Sequence, residues 1–130
     1  MEKVRRFEDL EIFQIARLLS KEIYRITNIE PFKSDFRFTQ QIRAAVGSIM
    51  DNIAEGFERN GNKEFVNFLF IAKGSCGEVR SQLLRANDVG YIDDTTFQHL
   101  YEETLGLGRK IFYLAQNIKN AGNPGSKYQS

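Results

Sequence analysis

Tryptophan is absent from this 130-residue sequence, and histidine and cysteine occur once each. A single cysteine, Cys76, rules out an intrachain disulfide and points to a reducing, cytoplasmic compartment. One histidine, His99, is too few for a zinc set built from several His and Cys ligands, and too few for a di-iron bundle with its two Glu-x-x-His motifs. Proline is scarce. Pro31 and Pro124 both fall outside the strongly periodic segments, so nothing interrupts long helices. No apolar run approaches the roughly 20 residues of a membrane span, and the opening MEKVRRFEDLE lacks the apolar stretch of a signal peptide. An excess of one charge is missing as well. Eighteen basic and 17 acidic residues leave a net charge of +1, which argues against a general polyanion binder while leaving room for a local patch.

What is present is an ordinary globular composition, 42% hydrophobic and 27% charged, in a length that suits one domain with a real core. Four segments carry apolar residues at alternating three- and four-residue spacing, the helical period. The first runs from about Glu8 to Asn28, with Ile12, Ala16, Leu19, Ile23 and Ile26 on its core face. NIEPFKSDF then breaks the pattern. The second runs from about Thr39 to Glu58 through Ile42, Val46, Ile49, Ile53 and Phe57. Asn60, Gly61 and Asn62 separate it from the third, about Lys63 to Asn87, which carries Phe65, Phe68, Leu69, Ala72, Cys76, Val79 and Leu83. Gly90 marks a turn, and Asp93 or Asp94 is the expected N-cap of the fourth segment. Its stripe is Phe97, Leu100, Thr104, Leu107, Ile111, Leu114 and Ile118. No segment alternates at the strand period. Four amphipathic helices with short connections predict an all-α, antiparallel up-down-up-down four-helix bundle over residues 1–120. The tail, 121–130, is expected to be disordered.

Chemistry-bearing residues are few. Cys76 sits on the core stripe, which reads as a small buried hydrophobe rather than a nucleophile. KGSCGE lacks the spacing and the Lys-Ser/Thr ending of a phosphate loop. No catalytic residue, metal site or cofactor is selected, and a non-enzymatic role follows as the expectation.

Six glycines, Gly47, Gly56, Gly74, Gly77, Gly106 and Gly108, fall inside predicted helices. Each costs about 1 kcal/mol relative to Ala, so together about 5 kcal/mol against a domain stability of about 5–15 kcal/mol. Close helix approach is the usual compensation. Folding segments two and three as a hairpin about Gly61 places Gly47 against Gly74, Val46 against Ser75, and Arg43 against Glu78. In that arrangement two glycines permit close packing and an Arg–Glu pair fixes the register.

The stretch DNIAEGFERN explains itself partly on a helical wheel. Ser48, Asn52, Glu55 and Arg59 form one polar stripe beside the apolar one, with Glu55 and Arg59 at the i, i+4 pairing distance. Gly56 lies at the edge of the core face. Two readings stay open: a hydrogen-bonded stripe between helices or subunits, or a ligand or catalytic site. On segment three, Val66, Phe70 and Leu84 lie opposite the core stripe, and segment four adds Tyr101, Leu105 and Phe112 off its seam. An exposed apolar strip of that kind predicts self-association. On segment one, Arg17, Lys21 and Arg25 form a basic stripe, preceded by Lys3, Arg5 and Arg6. It reads either as a solvated face or as a phosphate-contacting surface for RNA or DNA.

Three stretches carry a resemblance. FEDLEIFQIARLLSKEIY, then TQQIRAAVGSIMDNIAEGFERNGNKEFVNFLFIAKGSCGEVRSQL, then DVGYI resemble the four-helix-bundle family of 23S rRNA-intervening sequence proteins. The most specific part is QIR…SI..NIAEG, Gln41 to Gly56, with KEF…L.IA.GS..E, Lys63 to Glu78. The chain departs from the family at Phe13, where Trp is common, at Ala44, where a second Arg is common, and in reading SIMDNIAEG for SIPSNIAEG. The resemblance implies a bacterial protein that forms homopentameric barrels, with some members encoded inside ribosomal RNA genes. A related branch looks like the accessory variability proteins of diversity-generating retroelements, which bind nucleic acid and a reverse transcriptase through a basic surface. Shared family residues here are Arg43, Asn52, Glu55, Gly56, Glu64, Gly74, Ser75 and Glu78, and none is a catalytic residue. The favoured expectation is an oligomeric bundle that binds nucleic acid or a nucleoprotein partner. The alternative is a protein-docking scaffold with no nucleic-acid affinity.

Overall fold

A computed structural model describes residues 4–121. Four helices account for nearly all of it: α1, Glu11–Thr27; α2, Phe36–Glu58; α3, Asn62–Asp88; and α4, Asp94–Ala121. No strand occurs among the described residues. Ala121 closes α4; the rest of the expected tail, 122–130, lies outside the described residues, as does Lys3.

Local chemistry sets the helix ends. A 3-10 turn at Phe7–Asp9 precedes α1, which therefore starts later than its apolar spacing alone predicts. Asp35 accepts a hydrogen bond from the Phe38 N–H at 3.1 Å, so α2 begins three residues before the predicted Thr39. Asn60 takes a left-handed conformation, φ 62°, and ends α2. Gly90, at φ 80°, does the same after α3, where a side chain would be strained. Asp93 is the predicted cap of α4: its carboxylate accepts from the Thr96 N–H at 2.8 Å, and that bond holds its carboxyl below the usual range.

Each helix packs against its sequence neighbours, and α1 closes the ring on α4. The Tyr91 hydroxyl donates to Asp35 Oδ2 at 2.8 Å, joining the α1–α2 and α3–α4 connections at one end of the bundle. That contact fits the up-down-up-down order. The predicted stripes form the core: Ile23, Ile42, Ile49, Ile53, Leu69, Leu83, Leu107 and Ile111 are fully buried. Phe32 is also fully buried, although it lies in the α1–α2 connection; it plugs the bundle end against Phe38 and Tyr91 at ring distances of 5.0 Å. Among the glycines, Gly56 has the closest neighbours. A Cβ there would stand 2.5 Å from Phe68 Cβ and 3.1 Å from the Phe65 ring.

Candidate functional site

The α2–α3 pair holds the most specific polar geometry. The Ser48 and Ser75 hydroxyls lie 2.9 Å apart across the two helices. Asn52 Nδ2 donates to the Ser48 carbonyl at 2.8 Å and to the Ser48 hydroxyl at 3.0 Å. Farther along, Arg59 donates to Glu55 at 2.8 Å and lies 3.9 Å from Glu64. The Glu55 hydrogen bond, helped by its charge, raises the Arg59 guanidinium above its ordinary value. The stripe of Ser48, Asn52, Glu55 and Arg59 therefore forms as expected, and its first half bridges two helices.

The register differs from the hairpin prediction. Ser48, not Val46, meets Ser75, a displacement of two positions along α2. Gly47 and Gly74 do not pack together, since a Cβ on either would meet nothing within 4 Å. Gly56 is the glycine that permits close approach. Arg43 does not pair with Glu78: its Nε donates to Thr27 at 2.9 Å, and its guanidinium lies 4.4 Å from the Tyr24 ring centre. Thr27 is buried at the end of α1, so Arg43 ties α1 to α2 instead of α2 to α3. A hairpin of two helices leaves α1 out, and α1 offers Arg43 both an aromatic face and a hydroxyl.

Beside the serine pair runs a groove of about 450 Å³ between α2 and α3. Ala44, Ala45 and Ser48 line it from α2; Glu78, Gln82 and Arg85 line it from α3. Arg85 is occupied, with its guanidinium 4.3 Å from the Phe38 ring centre. Gln82 is 5% exposed, yet its Oε1 has no hydrogen-bond partner among the described residues. Leaving such an acceptor unsatisfied costs about 1–3 kcal/mol. Gln82 was not among the residues that the sequence pattern singles out. Its place, three residues after Val79 and one before Leu83, was the available signal. Ile71, 51% exposed, continues the same α3 face through Gly74 and Glu78 at helical spacing.

The apolar strip expected on α3 is exposed only in part. Val66 is only 6% exposed and belongs to the core. Phe70 is at the margin, with its ring 6.5 Å from that of Phe112 and the Lys119 ammonium 5.9 Å from its centre. Tyr101 packs on Phe97 at 5.4 Å, and Arg80 lies 5.7 Å from the Tyr101 ring centre. These residues form the α3–α4 seam. A wheel drawn for one helix does not show α4 covering that side. Of the strip, Leu84 and Phe70 stay exposed.

On α1, Arg17, Lys21 and Arg25 are exposed, as the stripe predicts. Arg25 is tied to Glu22 by two bonds, at 2.8 and 3.2 Å. Arg17 and Lys21 make no ion pair among the described residues. The free Cys76 is buried, and burial pushes its thiol up to about 12, so it fits a packing role. His99 is exposed beside Glu102 and Glu103, and no group of residues that could hold a metal occurs among the described residues. No helix among the described residues is long and apolar enough to cross a membrane.

Known proteins align with this architecture. A crystal structure of a protein of unknown function from the S23 ribosomal protein family of Bacteroides thetaiotaomicron superposes with a TM-score of 0.74 at 18% identity, covering 81% of this chain and 98% of that one. At that identity the likeness speaks for the fold. No curated protein matches the chain. Residues 8–113 match the family described as 23S rRNA-intervening sequence protein, a span that includes α1, α2, α3 and most of α4. The chain belongs to the 23S rRNA-intervening sequence protein family.

Proposed function

We propose that this chain is a non-enzymatic, self-assembling bundle that acts as a protein-docking scaffold, with the α2–α3 face as its contact surface. One observation carries the reading: a buried, unpartnered Gln82 Oε1 lines a groove on a face where Gly74 leaves the helix backbone bare. Neither feature benefits the isolated chain. Gly74 costs about 1 kcal/mol relative to Ala with no neighbour that needs the space. Both make sense if something covers the face. The family resemblance, which implies a homopentamer, agrees with it.

A second reading is favoured by Arg17 and Lys21, exposed cations with no acidic partner among the described residues. Repeated around an oligomer, they would contact phosphates of RNA or DNA or of a nucleoprotein. Pairing of Arg25 with Glu22 leaves this surface weaker than the sequence suggests. Light scattering of the purified protein over a dilution series, alone and with structured RNA or single- or double-stranded DNA, separates the readings. The scaffold reading expects an oligomer that gains no mass from nucleic acid. Mass gained at low salt and lost as salt rises, with a log–log slope of about one per neutralised phosphate, would support the second reading instead. A monomer at all concentrations would overturn the scaffold.

A further inference from the structure

We infer that the α2–α3 groove receives α1 of a second copy of this chain, with Arg17 and Lys21 of that copy serving Glu78 and Gln82 of the first. The inference rests on the proposed scaffold reading and names its partner and its contacts. The groove's own cation, Arg85, is held against the Phe38 ring, and acceptors on this face stay unpaired. Glu78 and Asp51 are exposed and make no ion pair among the described residues, and the Gln82 Oε1 is buried without a partner. The α1 face carries the complement, the exposed and unpaired cations Arg17 and Lys21. Each face also exposes one large apolar side chain beside its charges: Ile71 at 51% near Gly74, and Leu18 at 62% between Arg17 and Lys21. Those are the groups a paired surface would bury together.

Local geometry favours a close seat. Ala44 and Ala45 line the groove with small side chains, and Gly74, one turn before Glu78 on α3, has open space around it. An ammonium or guanidinium reaching the groove would supply the hydrogen bond that Gln82 lacks, and the nearby Glu78 carboxylate would balance its charge. The donor and acceptor faces lie on different sides of one bundle. The contact is therefore heterologous, and copies joined by it close into a ring or extend as a filament. On this arrangement the basic stripe of α1 lies inside the assembly, which explains why a stripe of cations needs no nucleic acid.

Charge exchange tests it. Glu78→Lys and Lys21→Glu each place like charges together and should weaken assembly at least about tenfold, read as the shift of the dissociation midpoint in light scattering. The double variant Glu78→Lys/Lys21→Glu should return to within about threefold of the parent, because the two sites are coupled. Gln82→Met should leave the circular-dichroism spectrum and melting of the dissociated chain at least as good as the parent's while weakening assembly. Both charged positions are exposed, so the helical signal should survive each exchange. A parent that assembles while both single exchanges leave the midpoint unchanged overturns this inference and spares the scaffold reading. A double variant as weak as the two single losses added together overturns it in the same way. A monomeric parent overturns both. A monomeric parent that captures an arginine-rich peptide would assign the groove to a foreign partner and overturn the second-copy assignment.

Discussion

Replacing Gly56 with Ala tests the helix packing most sharply. The added Cβ would stand 2.5 Å from Phe68 Cβ, which must retreat by 0.9 Å to reach the 3.4 Å of ordinary contact. Phe68 Cβ is fixed to the α3 backbone, so no rotamer change relieves the clash; the helix itself must move. Because the clash falls on a backbone-fixed atom, the cost lies in the upper part of the overpacking range, about 2–3 kcal/mol, and the better helix propensity of Ala returns about 1 kcal/mol. A net loss of about 1–2 kcal/mol is expected, which for a chain of this size lowers Tm by about 3–8 °C. Gly47→Ala and Gly106→Ala are the controls. A Cβ at either meets nothing within 4 Å, so each should gain about 0.5–1 kcal/mol. Urea unfolding followed by circular dichroism, at high dilution so that assembly does not contribute, reads all three. A Gly56→Ala variant as stable as the parent, or a Gly47→Ala variant less stable, would show that close approach at Gly56 does not govern the α2–α3 packing.

Asn52→Ala removes the donor that meets the Ser48 carbonyl and hydroxyl, and should cost about 1 kcal/mol in urea unfolding. Cys76 should resist a thiol reagent in the native protein and react on unfolding, since its thiol is buried and raised to about 12. The same shift sets a pH dependence. The unfolded thiol ionises near its ordinary 9.0 while the folded one stays neutral, so the stability linked to this group is intact below pH 9 and lost as pH rises toward 12. Cys76→Ala should flatten the stability profile across that window. Ser75→Ala should weaken the α2–α3 polar contact by about 1 kcal/mol, read in the same urea assay, because Ser48 keeps only its Asn52 partner.

The architecture was legible because amphipathic periodicity records burial directly. Ile12 to Ile26, Ile42 to Phe57 and Leu100 to Ile118 fall on the buried faces their spacing predicts. The cap at Asp93 and the turn at Gly90 follow from single-residue chemistry. Contacts that depend on a third element were not legible. Arg43 turned to Tyr24 and Thr27 because α1 lies within reach. Val66 is buried and Phe70 lies beside Phe112 of α4, a neighbour that a wheel drawn for α3 omits. Gln82 was hidden for another reason: a glutamine one position from a buried leucine looks like ordinary surface until its neighbours are in place. The glycines divided along the same line. Gly56 supports packing within the chain, whereas Gly47 and Gly74 do not, a difference that spacing alone does not encode.

Whether the α2–α3 face is a contact surface is decided by the solution mass of Gly74→Arg. Gly74 is exposed and has open space around it, so the variant should fold with unchanged helical content. If the face is the contact, the parent is oligomeric and Gly74→Arg is dissociated at the same concentration. A variant that keeps the parent's mass would remove this face from the assembly.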